Sequence, residues 1–171
     1  MQRLLFLFIF LACAGLLGFG LYLQETKHLL PCPLCVVQRM AYWLVGLTAL
    51  LAFLYNPQTL GHRMYSGFVA LFAAAGGAVA AHHIWLTLHP VAGGCRISPE
   101  EAFLNALPLA QWWPRMFAAN GDCALVSWEF LSLSIPHWSL ISFALFALLA
   151  VYLFWRGAAS KRGIHRNASR F

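Results

Sequence analysis

The chain alternates between long uncharged apolar runs and short polar stretches, and the lengths of the runs decide the class of fold. Leu4 to Leu23 is a run of twenty residues without a charge. At about 1.5 Å per residue, that is enough for a helix to cross a hydrocarbon core of about 30 Å. A cleavable leader has an apolar region of about 7–15 residues and then a small-residue cleavage site. A run that continues to Gln24-Glu25 fits neither, and it is read as a retained spanning helix. A second run, from about Cys35 to Tyr55, stops at Asn56-Pro57, where proline removes a backbone donor and biases its predecessor away from helix. The third, from about Met64 to Leu88, holds Ala73-Ala74-Ala75-Gly76-Gly77-Ala78, small residues that let helices approach closely. The fourth covers about Trp138 to Trp155. The pattern predicts an all-α integral membrane protein, one domain over 1–171, built as a four-transmembrane-helix bundle. Its connections fall at 24–34, 56–63 and 89–137, and a tail covers 156–171.

Composition agrees, since 61% of the residues are hydrophobic and 9% charged, against about 25% charged in a soluble domain. The net charge of +6 does not argue for nucleic acid. Five of the eleven basic residues, Arg156, Lys161, Arg162, Arg166 and Arg170, fall in the last sixteen positions behind an apolar run, where they act first as a topology signal. With both termini on the cytoplasmic side, Arg3, Arg63 and the tail put seven of the eleven inside. All five acids, Glu25, Glu100, Glu101, Asp122 and Glu129, then fall outside.

That orientation also sorts the five cysteines. Cys13 lies inside the first span, an inert small hydrophobe by position. Cys32 and Cys35 share the short outer loop, and Cys95 and Cys123 the long one. In an oxidising compartment two disulfides are the default expectation. Cys32-Pro33-Leu34-Cys35 is a C-x-x-C at the entrance of the second span, a spacing that commonly lowers a thiol pKa and makes the disulfide easy to exchange. Half a zinc site has the same spacing. Cys95 and Cys123 are twenty-eight positions apart, however, so zinc ranks below redox chemistry and no metal is expected.

Arg39 follows Cys35 at i+4, on the same helix face one turn deeper. A guanidinium there favours a thiolate or polarises the oxygen of a bound oxidant. The plainer reading is an arginine snorkelling to the headgroups, but charges within spans are usually functional. His82 and His83 point about 100° apart on a helix, so at most one faces the bundle interior. In the long loop, Ser98-Pro99-Glu100-Glu101 reads as a capping box with proline at the first helical position, followed at helical spacing by Phe103, Leu104 and Leu107. With Trp112, Trp113 and Phe117 it predicts a short amphipathic helix on the membrane surface, limiting how far Cys95 and Cys123 travel.

In this order the pieces resemble the bacterial disulfide bond formation protein B (DsbB) family over the whole chain. The resemblance is carried by the four spans, the C-x-x-C with Arg39, Pro108-Leu109-Ala110-Gln111-Trp112-Trp113-Pro114, Gly121-Asp122-Cys123-Ala124, Trp128-Glu129-Phe130-Leu131 and Pro136-His137-Trp138. It implies a thiol:quinone oxidoreductase of the bacterial inner membrane, with both cysteine loops periplasmic. Electrons would pass from a periplasmic DsbA-type thioredoxin-fold partner to Cys95-Cys123, then to Cys32-Cys35, then to ubiquinone or menaquinone. By position Cys95 matches the cysteine that forms the mixed disulfide with the partner, Cys123 exchanges with Cys32, and Cys35 faces the quinone. Arg39 and His82 match the family's arginine and histidine at the quinone. The related DsbI branch shares the cysteine pattern and leaves the partner open. The competing reading is a non-catalytic bundle with two structural disulfides. A reductive transporter ranks lower, because Cys13 is the one cysteine outside the outer loops.

Overall fold

The computed structural model describes residues 2–55, 59–89, 99–121, 123 and 129–168. Four long helices dominate: α1 (Gln2–Lys27), α2 (Pro33–Tyr55), α3 (Thr59–Leu88) and, after the outer segment, α7 (Ile135–Ala168). Each contains a stretch long and apolar enough to cross a membrane, so the chain is a multi-pass, all-α membrane protein as its pattern of apolar runs predicts. The helices outrun those runs at several ends, because a helix continues past the apolar stretch wherever neither proline nor a cap stops it. Thus α1 includes Gln24–Lys27, α3 begins before Met64, and α7 continues well beyond Trp155.

The bundle is ordered by neighbours. α2 lies between α1 and α3, α3 runs along α7, and α7 meets α1 only sparsely. Lipid tails supply no hydrophobic drive for helices to associate, so close packing has to. Phe6, Ile9, Val45, Val69, Phe143 and Leu153 are buried along the shared axis, whereas Leu4, Leu71 and Leu148 face outward. Gly76 is the tightest point. A Cβ there would stand 2.5 Å from Phe143 Cζ and 2.9 Å from Ala41 Cβ, joining α3 to α7 and α2 at once. The Phe143 ring is held against Tyr42, centroids 4.2 Å apart.

At one end, Arg3 donates to the Phe53 carbonyl at 3.0 Å and lies over the Phe53 ring, and Arg63 lies over Phe154. The other end is capped by the outer segment. The predicted single amphipathic helix is three short ones: α4 (Pro99–Ala106), α5 (Pro108–Trp112) and α6 (Pro114–Phe117). Pro108 and Pro114 cause the breaks, since proline opens a helix but cannot continue one. α4 begins at Pro99, where the capping pattern puts its first helical residue; Ser98 lies outside the described residues. Leu104 of α4 packs on Val36 and Ala119. A hairpin that the sequence pattern does not announce, β1 (Glu129–Phe130) with β2 (Leu133–Ser134), leads into α7. Leu131 and Ser132 both take positive φ, 53° and 61°, as a two-residue hairpin turn of the primed type requires.

Gly76→Ala is expected to lower the thermal midpoint in detergent, with a cost of about 1–3 kcal/mol for overpacking against an aromatic ring. Gly77→Ala is the control, since its Cβ would lie at an ordinary 3.6 Å from Phe143 Cβ, and it should leave the midpoint nearly unchanged.

Candidate functional site

The C-x-x-C is built from helix-end chemistry. α1 closes through His28 in the left-handed region, φ 51°, with the Leu29 N–H returning to the Gln24 carbonyl at 3.2 Å, the backbone pattern of a Schellman ending. The chain then turns through Pro31 to Cys32, which stands at the N-cap of α2 with Pro33 as the first helical residue. Where a serine oxygen would normally accept, the Cys32 sulfur accepts the Cys35 N–H at 3.3 Å. This fold of the backbone brings the two sulfurs to 2.8 Å.

A second set of contacts brings in Cys123. The Pro31 carbonyl accepts the N–H groups of Asn120 and Gly121, at 3.0 and 3.1 Å. Asn105 of α4 holds Ala119 from the other side with paired bonds, each 2.9 Å. Gly121 lies so close that a Cβ would overlap the Leu30 carbonyl. Cys123 is thereby hydrogen-bonded to the Cys32 thiol. Grouping the cysteines by loop therefore misses this contact, which runs from one loop to the other. Cys32 and Cys123 are 4% and 2% exposed. The hydrogen bond with Cys123, then that with Cys35, then burial push the Cys32 thiol far above the ordinary thiol range, so it is held protonated. Cys95 lies outside the described residues.

Of the two adjacent histidines, the structure turns His83 toward the cysteines. His82 points outward and stacks on Trp85, whereas His83 is buried with Nε2 at 3.7 Å from Cys32 Sγ. The about 100° between adjacent helical residues makes the choice exclusive, and the packing of α3 on α2 and α7 decides it. Gln38, which sequence reasoning passed over, donates to His83 Nδ1 at 3.2 Å. Its signal was available: an uncharged polar residue inside a span, three residues after Cys35. The sulfurs of Cys32 and Cys35 and a His83 ring nitrogen all lie within 4.8 Å of one another, so the reduced cluster has the donor types that thiophilic ions take.

Arg39 is where the sequence places it, one turn below Cys35. Its Nη1 donates to the Arg115 and Met116 carbonyls of α6, both at 3.3 Å, and Gln24 of α1 reaches the same Arg115 carbonyl at 3.0 Å. The guanidinium also borders a cavity of about 440 Å³ left where α1 and α7 part. Leu16, Leu23, Cys35, Arg39 and Trp138 are among its lining. Phe130 of the hairpin lines it too, and its carbonyl accepts Trp138 Nε1–H at 3.3 Å.

Three cysteines converging from two segments, with one sulfur bordering an apolar cavity in a spanning bundle, make an integral membrane oxidoreductase of thiols and disulfides. The model of the family described as disulfide bond formation protein DsbB matches residues 2–153. "Disulfide bond formation protein B" of Nitrosospira multiformis is 60% identical over 88% of this chain and 90% of its own. The protein of the same name from Nitrosomonas eutropha is 60% identical over 87% and 92%. "Disulfide bond formation protein B 1" of Pseudomonas aeruginosa is 40% identical over 91% and 96%. The chain belongs to the DsbB family, and its function is disulfide bond formation.

In the reduced protein, Cys32 should be alkylated by iodoacetamide more than tenfold more slowly than an exposed cysteine, read residue by residue by mass spectrometry. Gly121→Ala should undock Cys123 and raise that rate. An unchanged rate would mean that the backbone contact at Pro31 does not hold Cys123 in place.

Proposed function

We propose that this protein oxidises a periplasmic DsbA-type thioredoxin-fold partner and passes the electrons to a membrane quinone. Cys95 and Cys123 serve as the pair that meets the partner, and Cys32 and Cys35 as the pair that meets the quinone. The observation that carries the reading is the contact of Cys123 with Cys32 beside a cavity bordered by Cys35 and Arg39. Thiol–disulfide exchange needs a thiolate in line with a disulfide sulfur and access between them. A sulfur of one loop already in contact with a sulfur of the other meets the access condition without a large movement.

The residues also fit a quinone. The cavity is within the ordinary size range for small-molecule sites, apolar with few polar groups, which suits a flat ring with a lipid-soluble tail. Arg39 offers N–H donors of the kind a quinone oxygen accepts, and Cys35 and Arg39 would hold the head group. When bound, the quinone takes up two electrons and two protons as the Cys32–Cys35 dithiol becomes a disulfide. The sparse meeting of α1 and α7 gives a way in from the lipid. Cys32, buried and protonated, keeps its proton until its sulfur bonds to Cys35 or Cys123. Upstream, each exchange conserves electrons: the partner's dithiol is oxidised as the Cys95–Cys123 disulfide is reduced, and that pair is reoxidised as Cys32–Cys35 is reduced.

The setting that goes with this is the bacterial inner membrane. The segments around 24–34 and 89–137 face the periplasm, and both termini face the cytoplasm. Support comes from the basic residues, since Arg3 and Arg63 sit at the end of the bundle opposite the cysteines, in line with the excess of basic residues on the cytoplasmic face of membrane proteins.

The test is single-turnover mixing of the detergent-solubilised protein with ubiquinone and a reduced DsbA-type partner. Partner thiols should disappear in step with quinol formation. Cys35→Ser should abolish quinol formation, and Cys95→Ala should stop partner oxidation. A quinone that stays oxidised with a competent partner would overturn the reading. A companion redox titration should place the Cys32–Cys35 couple above about −300 mV, whereas structural disulfides lie below it.

A further inference from the structure

Gln38 is a polar group that the relay leaves without a task. It is 4% exposed within a spanning helix, where an amide is costly unless hydrogen-bonded and where polar side chains usually mark function. Its Nε2 donates to His83 Nδ1 at 3.2 Å. A ring nitrogen that accepts a hydrogen bond carries no proton, so the neutral ring has its proton on Nε2. That nitrogen faces sulfur, 3.7 Å from Cys32 Sγ. The ring also hydrogen-bonds Cys35 and the backbone of Cys123. The other tautomer would turn a lone pair toward the sulfurs and set the Gln38 N–H against a ring N–H.

We propose that Gln38 is a positioning residue for the oxidation of Cys35: by donating to Nδ1 it holds His83 as the Nε2–H tautomer, so the ring presents a proton donor to the cysteine sulfurs. As the Cys35 S–H bond gives up its proton, negative charge grows on that sulfur, and a hydrogen bond to a charged acceptor is among the stronger kinds. As the Cys32–Cys35 bond forms, the two electrons released would pass to the quinone, and the two thiol protons would end on the resulting quinol. Gln38 and its chain neighbour Arg39 both border the cavity, but it is the Gln38 amide that meets the imidazole, whereas Arg39 donates to the Arg115 and Met116 carbonyls. The inference rests on the reading of Cys35 as the sulfur that meets the quinone.

The experiment labels histidine rings with ¹⁵N in the full-length, reduced, quinone-free protein and identifies the His83 signals by their loss in His83→Asn. Wild type should show one tautomer, with the proton on Nε2. Gln38→Leu should give a mixture of both tautomers, a slower alkylation of Cys35, and quinone reduction in a single turnover slowed roughly fivefold, the size of one lost hydrogen bond. Gln38→Glu, nearly the same shape, should draw a proton to Nδ1, and it decides the matter alone if the leucine variant does not fold. A wild-type ring protonated on Nδ1 only, or His83 signals indifferent to both substitutions, would overturn the proposal. The ring measurement needs no quinone. If wild type failed to reduce quinone while His83 responded as described, the quinone reading would fall and the Gln38 assignment would stand.

Discussion

The cysteine end of the bundle depends on one backbone carbonyl. Pro31 lies between the end of α1 and the first cysteine, and its oxygen receives two consecutive N–H groups, those of Asn120 and Gly121, from a segment about ninety residues further along. A peptide group taken out of water must find a partner, and here the partners are the groups that precede Cys123. Glycine at 121 permits the approach because no side chain intervenes, and Asn105 holds the same strand of chain from α4. Cys123 reaches Cys32 because the main chain is docked there, independently of any attraction between sulfurs.

Cys32 in turn does three things at one atom. Its sulfur caps α2, contacts Cys35, and is hydrogen-bonded to Cys123. A helix cap is a local constraint, so the secondary structure by itself orients this sulfur. The same economy recurs one turn deeper. Arg39 and Gln24 share the Arg115 carbonyl, which ties α1, α2 and α6 together around the mouth of the cavity.

Much of this was legible in the sequence, and what was not has definable reasons. The spans could be read because uncharged runs of about twenty residues have few other uses. The C-x-x-C and Arg39 could be read because their spacing is set within one helix. The relation of Cys123 to Cys32 could be read only through the family resemblance, since it comes from backbone pairing between distant segments, and those bonds leave no trace in side-chain pattern. His83 over His82 needed the rotation of α3, which tight packing at Gly76 helps to set and hydropathy does not. The single surface helix is three because Pro108 and Pro114 break it, while the apolar spacing that predicts the helix runs on across both prolines. The hairpin was hidden because Leu131 and Ser132 are not the glycine and asparagine that usually announce such a turn.

The burial of Cys32 and Cys123 has a consequence for the cell's small thiols. Exchange requires a collinear approach to a sulfur, and neither sulfur offers a path to a solute such as glutathione. A disulfide at this pair would therefore exchange with a neighbouring cysteine, or with an occupant of the cavity, sooner than with the surrounding thiol pool: the depth of the two sulfurs makes the site a private one.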